Sequence, residues 1–548
     1  MREGAAPPVR HILGPRRFPG RFQAAHSIPT VSPHNLRGPL PAGVPARSYA
    51  RGMTDAMAPL PHGGTALPAQ PSFAEQLFAG LWPERGPVSA PRAVAAALGV
   101  GALAAVVLPE REVGAGTLAV LLLGGAVVWR LSALRARWWT LLSLVLCLGL
   151  GSLLVVRAAG WLAVLALAVV AGLVTTALTD ARRLGPMLAA LAAWPLSAVR
   201  GLPLLGRTVA AASGHRLLWP VLRTAALSLV ALVVFGGLFA SGDAVFRSWV
   251  TALVPDLAWD SLVLRIFVLG AVGAAVLTGC YLALNPPQVD RVRAPAARPV
   301  RRVWEWLVPV GLVVAVFAGF VLAQASAMWG GHDYVRRVTG LSYGAYVHEG
   351  FGQLTVATTL TLATIALTVR KAPRATARDR MLLRVVLGAL CLLTLVVVAS
   401  ALFRMAVYQQ AFGYTVLRVL VDAFELWLGL VVVLVVVAGV RWSGAWLPRA
   451  ALVAGAVFVL ALGLANPEGW VARQNIDRFA ATGKIDTAYL ATLGADAVPA
   501  IAEGLPAPLA RCVLAAQQRV DDDALSWNLA RARAVGVPEW GTGGAGCP

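Results

Sequence analysis

The sequence predicts an all-α polytopic membrane protein, a bundle of about eleven transmembrane helices followed by a small soluble helical domain. Three observations carry this. Apolar stretches of about the 20 residues needed to cross a hydrocarbon core recur from residue 92 to residue 465. The chain is 58% hydrophobic and 13% charged, where a soluble domain is about half apolar and about a quarter charged. Arginine is concentrated on alternate loops between the apolar stretches.

Residues 1–91 are rich in Pro, Arg and Gly and show no periodic apolar face, so a disordered tail is expected. Met53 and Met57 are alternative starting points for the chain. The transmembrane domain, 92–465, then holds spans near 92–108, 113–129, 138–156, 158–178, 224–242, 262–284, 303–324, 351–370, 384–403, 416–440 and 447–465. The loops 130–137, 179–223, 285–302, 370–384 and 441–449 each carry a net charge between +2 and +5. The intervening loops are mixed, as in Pro109-Glu110-Arg111-Glu112. Positive loops stay inside, so the N-terminus is expected in the cytoplasm and the C-terminus outside. The net charge of +21 is mostly this signal. The expected partner is therefore the lipid bilayer of a bacterial plasma membrane and not nucleic acid, which would want its arginines on one soluble face.

Residues 184–199 are apolar but short, contain Pro186 and Pro195, and have Arg182, Arg183 and Arg200 at their ends. They suit a helix lying on the cytoplasmic face, or one packed under the bundle, better than a crossing.

Counting about 20 residues from each cytoplasmic arginine brings Asp243, Arg265, Arg404, Arg418, Asp422 and Glu425 to one external polar layer. Arg418, Asp422 and Glu425 share one helix face, where Asp422 can pair with Arg418. Arg404 is expected to pair with Asp422 or Glu425 across a short turn. The simpler reading of Arg418, Asp422 and Glu425 is a structural ion pair closing the bundle's outer end; the alternative is a ligand site.

Catalytic signals are absent. There is no Gly-rich phosphate loop followed by Lys and a hydroxyl residue, and no H-E-x-x-H. His332-Asp333 and His348-Glu349 share one external loop, but their spacing does not define a metal site. The first external loop is only four residues long, too short for the acidic pair that transferases of lipid-linked sugars carry there. No metal, cofactor or catalytic residue is assigned. Cys147, Cys280 and Cys391 sit singly in spans, whereas Cys512 and Cys547 lie in the external tail, where a disulfide is permitted.

The tail, 466–548, holds seven basic and nine acidic residues, unlike the inner loops. Asp486, Asp496 and Asp523 occupy N-cap positions, and Asp523 to Ala534 reads as an amphipathic helix with Leu525, Leu529 and Trp527 inward. A small helical cap with a flexible end is expected on the outer mouth.

Three segments carry a resemblance. They are Leu238 to Phe246, Thr339 to Leu354 (with Gly340, Tyr343, Tyr346, Gly350 and Phe351), and Asn466-Pro-Glu-Gly-Trp470 through Asn475, Gly483 to Asp486, Tyr489 and Asp496 to Pro499. Together they resemble the bacterial polytopic proteins grouped as domain of unknown function 4173 (DUF4173) and the related DUF4153 group, over about residues 220–535. Ala345 stands where that family usually has Glu. The resemblance implies a bacterial integral membrane protein and supplies no activity. Asn475 is expected to bridge to loop backbone, and loop 326–350 to pack beside Asp243 against the tail; the simpler alternative is that both motifs only cap helix ends. The functional expectation is a non-enzymatic sensor, scaffold or accessory protein of the cell envelope. The alternatives are a transporter or lipid flippase, and a membrane transferase acting on lipid-linked substrate at the external face.

Overall fold

The computed structural model describes residues 82–213, 218–253, 259–291, 300–339 and 351–543, which all fall in one unit, 71–548. The helices are α1 (Pro91–Val107), α2 (Ala115–Leu131), α3 (Trp138–Val156), α4 (Gly160–Thr179), α5 (Leu184–Arg200), α6 (Leu202–Ser213), α7 (Leu218–Gly242), α8 (Ala244–Leu253), α9 (Trp259–Leu284), α10 (Trp304–Thr339), α11 (Phe351–Lys371), α12 (Ala377–Phe412), α13 (Val416–Arg441) and α14 (Leu447–Leu464). Five shorter ones follow: α15 (Pro467–Thr482), α16 (Thr487–Ala491), α17 (Val498–Gly504), α18 (Ala507–Ala515) and α19 (Leu529–Val535). Among the described residues there is no strand.

Nine helical stretches among the described residues are long and apolar enough to cross a membrane. The protein is therefore an all-α, multi-pass membrane protein. Each expected span has a helix, but α1, α2 and the apolar part of α7, Arg223–Phe239, are shorter than the nine. Seventeen residues, the length of α1 and α2, rise about 25 Å, the lower limit for a crossing. Helix α12 runs well past the expected 384–403, because the Thr376–Asp379 capping box starts it early and nothing stops it before Gly413.

One of the nine, Leu184–Ala211, is not an expected span, and its described contacts lie at one end of the bundle. Ala190 packs with Ala181 and Val289. Ala193 and Leu204 join Val128, Leu178, Cys280 and Tyr281. Arg200 donates to Trp82 O at 2.7 Å, and Ala90 N donates to Thr208 Oγ1 at 3.0 Å. These partners sit at the start of α1 and the last turns of α2, α4 and α9. A crossing helix would exchange partners from one end of the bundle to the other; α5 and α6 stay at one end throughout.

The stretch before α1 differs from the expected tail. Trp82 is 3% exposed and donates through Nε1 to Asn285 O at 2.6 Å, while Asn285 Oδ1 accepts from Arg85 N and Gly86 N, each at 2.8 Å. A Pro- and Arg-rich composition conceals this because one Trp and a few backbone amides make the contact. Residues 1–81 lie outside the described residues.

Helix α1 lies closest to α9. A Cβ at Gly101 would fall 2.6 Å from Leu269 O, and only a small-residue stripe permits such an approach. Helices α3, α4 and α14 share a second core around Leu150, Leu173 and Ala456. Helices α10 to α13 share a third around Trp306, Leu390 and Val432.

The five short helices form their own core around Val471, Val498, Ile501, Val513 and Trp540. Asn466 caps α15 in the left-handed region (φ 53°), and Asp486 caps α16. The helix expected over 523–534 is not formed before Leu529: Asp523 Oδ1 instead holds a turn through Leu525 N and Ser526 N, and Leu525 and Trp527 are exposed. The reason is tertiary. Leu525 O and Trp527 O accept from Gly116 N (2.6 Å) and Ala115 N (3.0 Å), satisfying first-turn amides of α2 that have no partner within their own helix.

Candidate functional site

The C-terminal domain is fastened to one end of the bundle by three buried junctions. In the first, Arg157 is the single residue between α3 and the α4 entry with a charge. It donates to Gly463 O (2.7 Å), Leu464 O (3.0 Å) and Asp496 Oδ1 (3.3 Å). Asp496 Oδ2 accepts from Ala158 N (2.7 Å) and Ala159 N (3.1 Å). Asp496 thus holds the backbone that leads into α4, and the helix that follows it in sequence has no side-chain cap. Beside it, Glu468 accepts from Gly494 N (2.9 Å) and Trp161 Nε1 (3.3 Å). Burial raises the carboxyl pKa of both, and the Asp496 charge raises that of Glu468 further.

In the second junction, Asn475 holds the turn between α12 and α13 by both its amide atoms. Oδ1 accepts from Tyr414 N (3.0 Å), and Nδ2 donates to Tyr414 O (2.8 Å). Tyr489 OH accepts from Val416 N (2.7 Å), and Tyr414 meets Trp470 edge to face. Asn475 does bridge to loop backbone, but to Tyr414; the expected partner loop lies outside the described residues.

In the third, Asn528, 0% exposed, donates to Leu154 O (3.1 Å) and Arg157 O (2.8 Å). Arg531 pairs with Asp522 (2.7 Å) and donates to Val113 O (3.0 Å). Asp523 pairs with Arg111 at 2.6 Å, which lowers its pKa. An open polar cleft of about 690 Å³ lies alongside, lined by Glu110, Arg111, Glu112, Arg265, Arg519 and Asp521 among others. Cys512 of α18 is in a disulfide; Cys547 lies outside the described residues.

The six charges expected in one layer form no ion pair with one another. Asp243 is exposed and caps α8 through Phe246 N (2.7 Å). Arg265 donates to Ala105 O (3.1 Å) and lies 3.7 Å from Glu110. Arg418 donates to Gly413 O at 2.5 Å and covers the Tyr408 ring, so it does not pair with Asp422. Asp422 accepts from Gln409 Nε2 (2.7 Å). Glu425, 0% exposed, accepts from Thr355 Oγ1 (3.1 Å) and meets Thr358 Oγ1 at 3.4 Å. Arg404 pairs with neither acid. Depth along a span fixes level only; which way each side chain points is set by neighbours, and here neutral donors reach the acids first.

Gly340, Tyr343, Tyr346, Gly350, His348 and Glu349 lie outside the described residues, as do the side chains of Phe351, His332 and Asp333.

The opposite end has a hub that sequence reasoning missed. Asp180 accepts from Arg449 (2.7 Å), Arg137 (2.5 Å) and Arg182 (3.1 Å). Burial would raise its pKa, but the bonds and charges of Arg449 and Arg182 outweigh that and lower it. Arg449 also stacks on Trp139. Asp180 is the single acid in its long loop, the one signal that pointed to it. Glu468, Asp496 and Arg157 were likewise visible as an acid pair in family-like motifs and a lone charge between two apolar runs.

A family model described as domain of unknown function (DUF4153) matches residues 119–504. Among curated proteins and among solved structures nothing matches.

Proposed function

The chain belongs to the DUF4153 family, and from that premise we propose that it is a non-enzymatic protein of the bacterial plasma membrane that senses, scaffolds or assists at the cell envelope. In this reading the N-terminus is inside, the C-terminal domain is an external cap, and the bilayer is the principal partner. The observation that carries it is the Arg157–Asp496–Ala158 junction. It fixes the cap to the bundle through buried bonds, as suits a rigid platform and not a lid. The cap touches the loops after the first, third and ninth spans, while the arginine-rich loops that stay inside gather around Asp180 and Asn285 at the other end. The Cys512 disulfide suits an oxidising compartment. The motif likeness to DUF4173 is part of the same proposal.

The test is a reporter fused after residue 548 that is active only outside the cytoplasm, with an engineered crosslink between positions 158 and 496. Activity on the cytoplasmic side, or no crosslink in folded protein, would sink the reading.

A second reading, a transporter or flippase, is favoured by Glu425. A buried carboxylate on a membrane span is a default mark of an ion or substrate path.

A further inference from the structure

Glu425 sits on α13 sixteen residues before Arg441, about 24 Å along the helix and so within a hydrocarbon core about 30 Å thick. Its side chain is completely buried. A carboxylate taken out of water without a counter-charge is strongly disfavoured. The described groups around it offer none. On α11 its contacts are the hydroxyls of Thr355 and Thr358. On its own helix, Asp422 is a like charge bound to Gln409 of α12, and Arg418 turns to Gly413 O. Arg404 of α12 forms no ion pair with either acid. Against the start of α13, Arg478 of α15 is engaged by Gln410 O and Ala411 O, and Glu468 by Gly494 N and Trp161. The basic residue of α14, Arg449, is at the far end with Asp180.

The hydrogens can be counted. Thr358 has one hydroxyl hydrogen and two oxygen neighbours, Leu354 O at 3.0 Å and Glu425 Oε1 at 3.4 Å. Along α11, Thr359, Thr361, Thr364 and Thr368 all give their hydrogen to the carbonyl four residues back, at 2.7 to 3.0 Å. If Thr358 does the same, its oxygen presents a lone pair to Glu425 Oε1. The contact is then attractive only with a proton on that carboxyl oxygen. Thr355, with no carbonyl contact of its own, donates to Oε2.

We propose that Glu425 is a proton-binding site within the membrane, holding a proton on Oε1 that it donates to Thr358 while Oε2 accepts from Thr355. The ligand is the proton itself. Asp422, one turn nearer the Gly413 end, has a buried Oδ1 with no hydrogen-bond partner. The proposal rests on α13 being a span and on neither functional reading, so the reporter fusion can fail without touching it.

Infrared difference spectroscopy on purified protein in lipid vesicles at neutral pH tests it. Wild type minus Glu425→Gln should show the C=O stretch of a carboxylic acid, shifted down in D2O. Thr355→Val should move that band up, because its donor is gone. A pair of carboxylate stretches in place of the acid band would overturn the proposal, as would an unmoved band in Thr355→Val. Glu425→Gln is a neutral isostere of the acid and should accumulate and fold like wild type; its failure to fold would count against the proposal too.

Discussion

Asp496 accepts the main-chain amide of Ala158 at 2.7 Å, although 338 residues separate the two. A carboxylate of the C-terminal domain thereby holds the two backbone amides just before a helix of the bundle, at the positive end of that helix's dipole.

Asp496→Ala should loosen the cap. It leaves Arg157 with only its two carbonyl acceptors and the amides of Ala158 and Ala159 with none, a loss of about 1–3 kcal/mol. Asp496→Asn keeps an acceptor and should lose less. Limited proteolysis of the region after residue 466, in detergent, should show the order wild type, Asn, Ala. Equal rates for all three would contradict the junction's role.

The same corner should respond to pH. The folded pKa values of Glu468 and Asp496 lie above the ordinary 4.5 and 3.8, so the folded cap binds protons more tightly than the unfolded chain. Stability from this source is greatest below about pH 4 and falls as pH rises through the raised values. Glu468→Gln should flatten the decline in unfolding temperature as pH rises above the ordinary carboxyl value of 4.5. An unchanged slope would remove Glu468 from the account. Asp180 has the opposite sign, since its lowered pKa gives stability that is lost on acidification.

Gly413 ends α12 with φ 88°, and a Cβ there would lie 2.9 Å from Asn475 Oδ1. Gly413→Ala should therefore cost about 1–3 kcal/mol from the backbone alone and displace Asn475 from Tyr414. Asn475→Ala, which removes the same bonds without strain, should cost less. Chemical denaturation of the two variants ranks them, and a harmless Gly413→Ala would refute the conformational argument.

Gly101 sets the spacing of α1 and α9. Gly101→Ala should force the helices apart at Leu269 O, with a loss of about 1–3 kcal/mol. Gly99, which has nothing within 4 Å of an added Cβ, is the matched control. Thermal unfolding that treats the two variants alike would show that the approach is not tight.

Apolar length and composition were enough to determine that this is a multi-pass helical protein, because a bilayer accepts only segments that satisfy their own backbone. They also located the eleven expected spans, each of which has a helix, though α12 runs past its expected bounds. For residues 184–199 the two prolines and the flanking arginines already spoke against a crossing, but only the structure showed that the stretch runs on to Ala211 and which neighbours it packs against. Nor could the sequence pair the charges. Depth counting placed Arg404, Asp422 and Glu425 at one level, but Gln409, Thr355 and Thr358 took the acids, because rotation about a helix axis is fixed by packing. The tail's Asp496 read as a local cap, yet its carboxyl group reaches backbone at Ala158, and Asn528, which caps its own helix, also reaches Leu154 O. Those partners are more than 330 residues away in the chain, and only the folded structure brings them within a hydrogen bond.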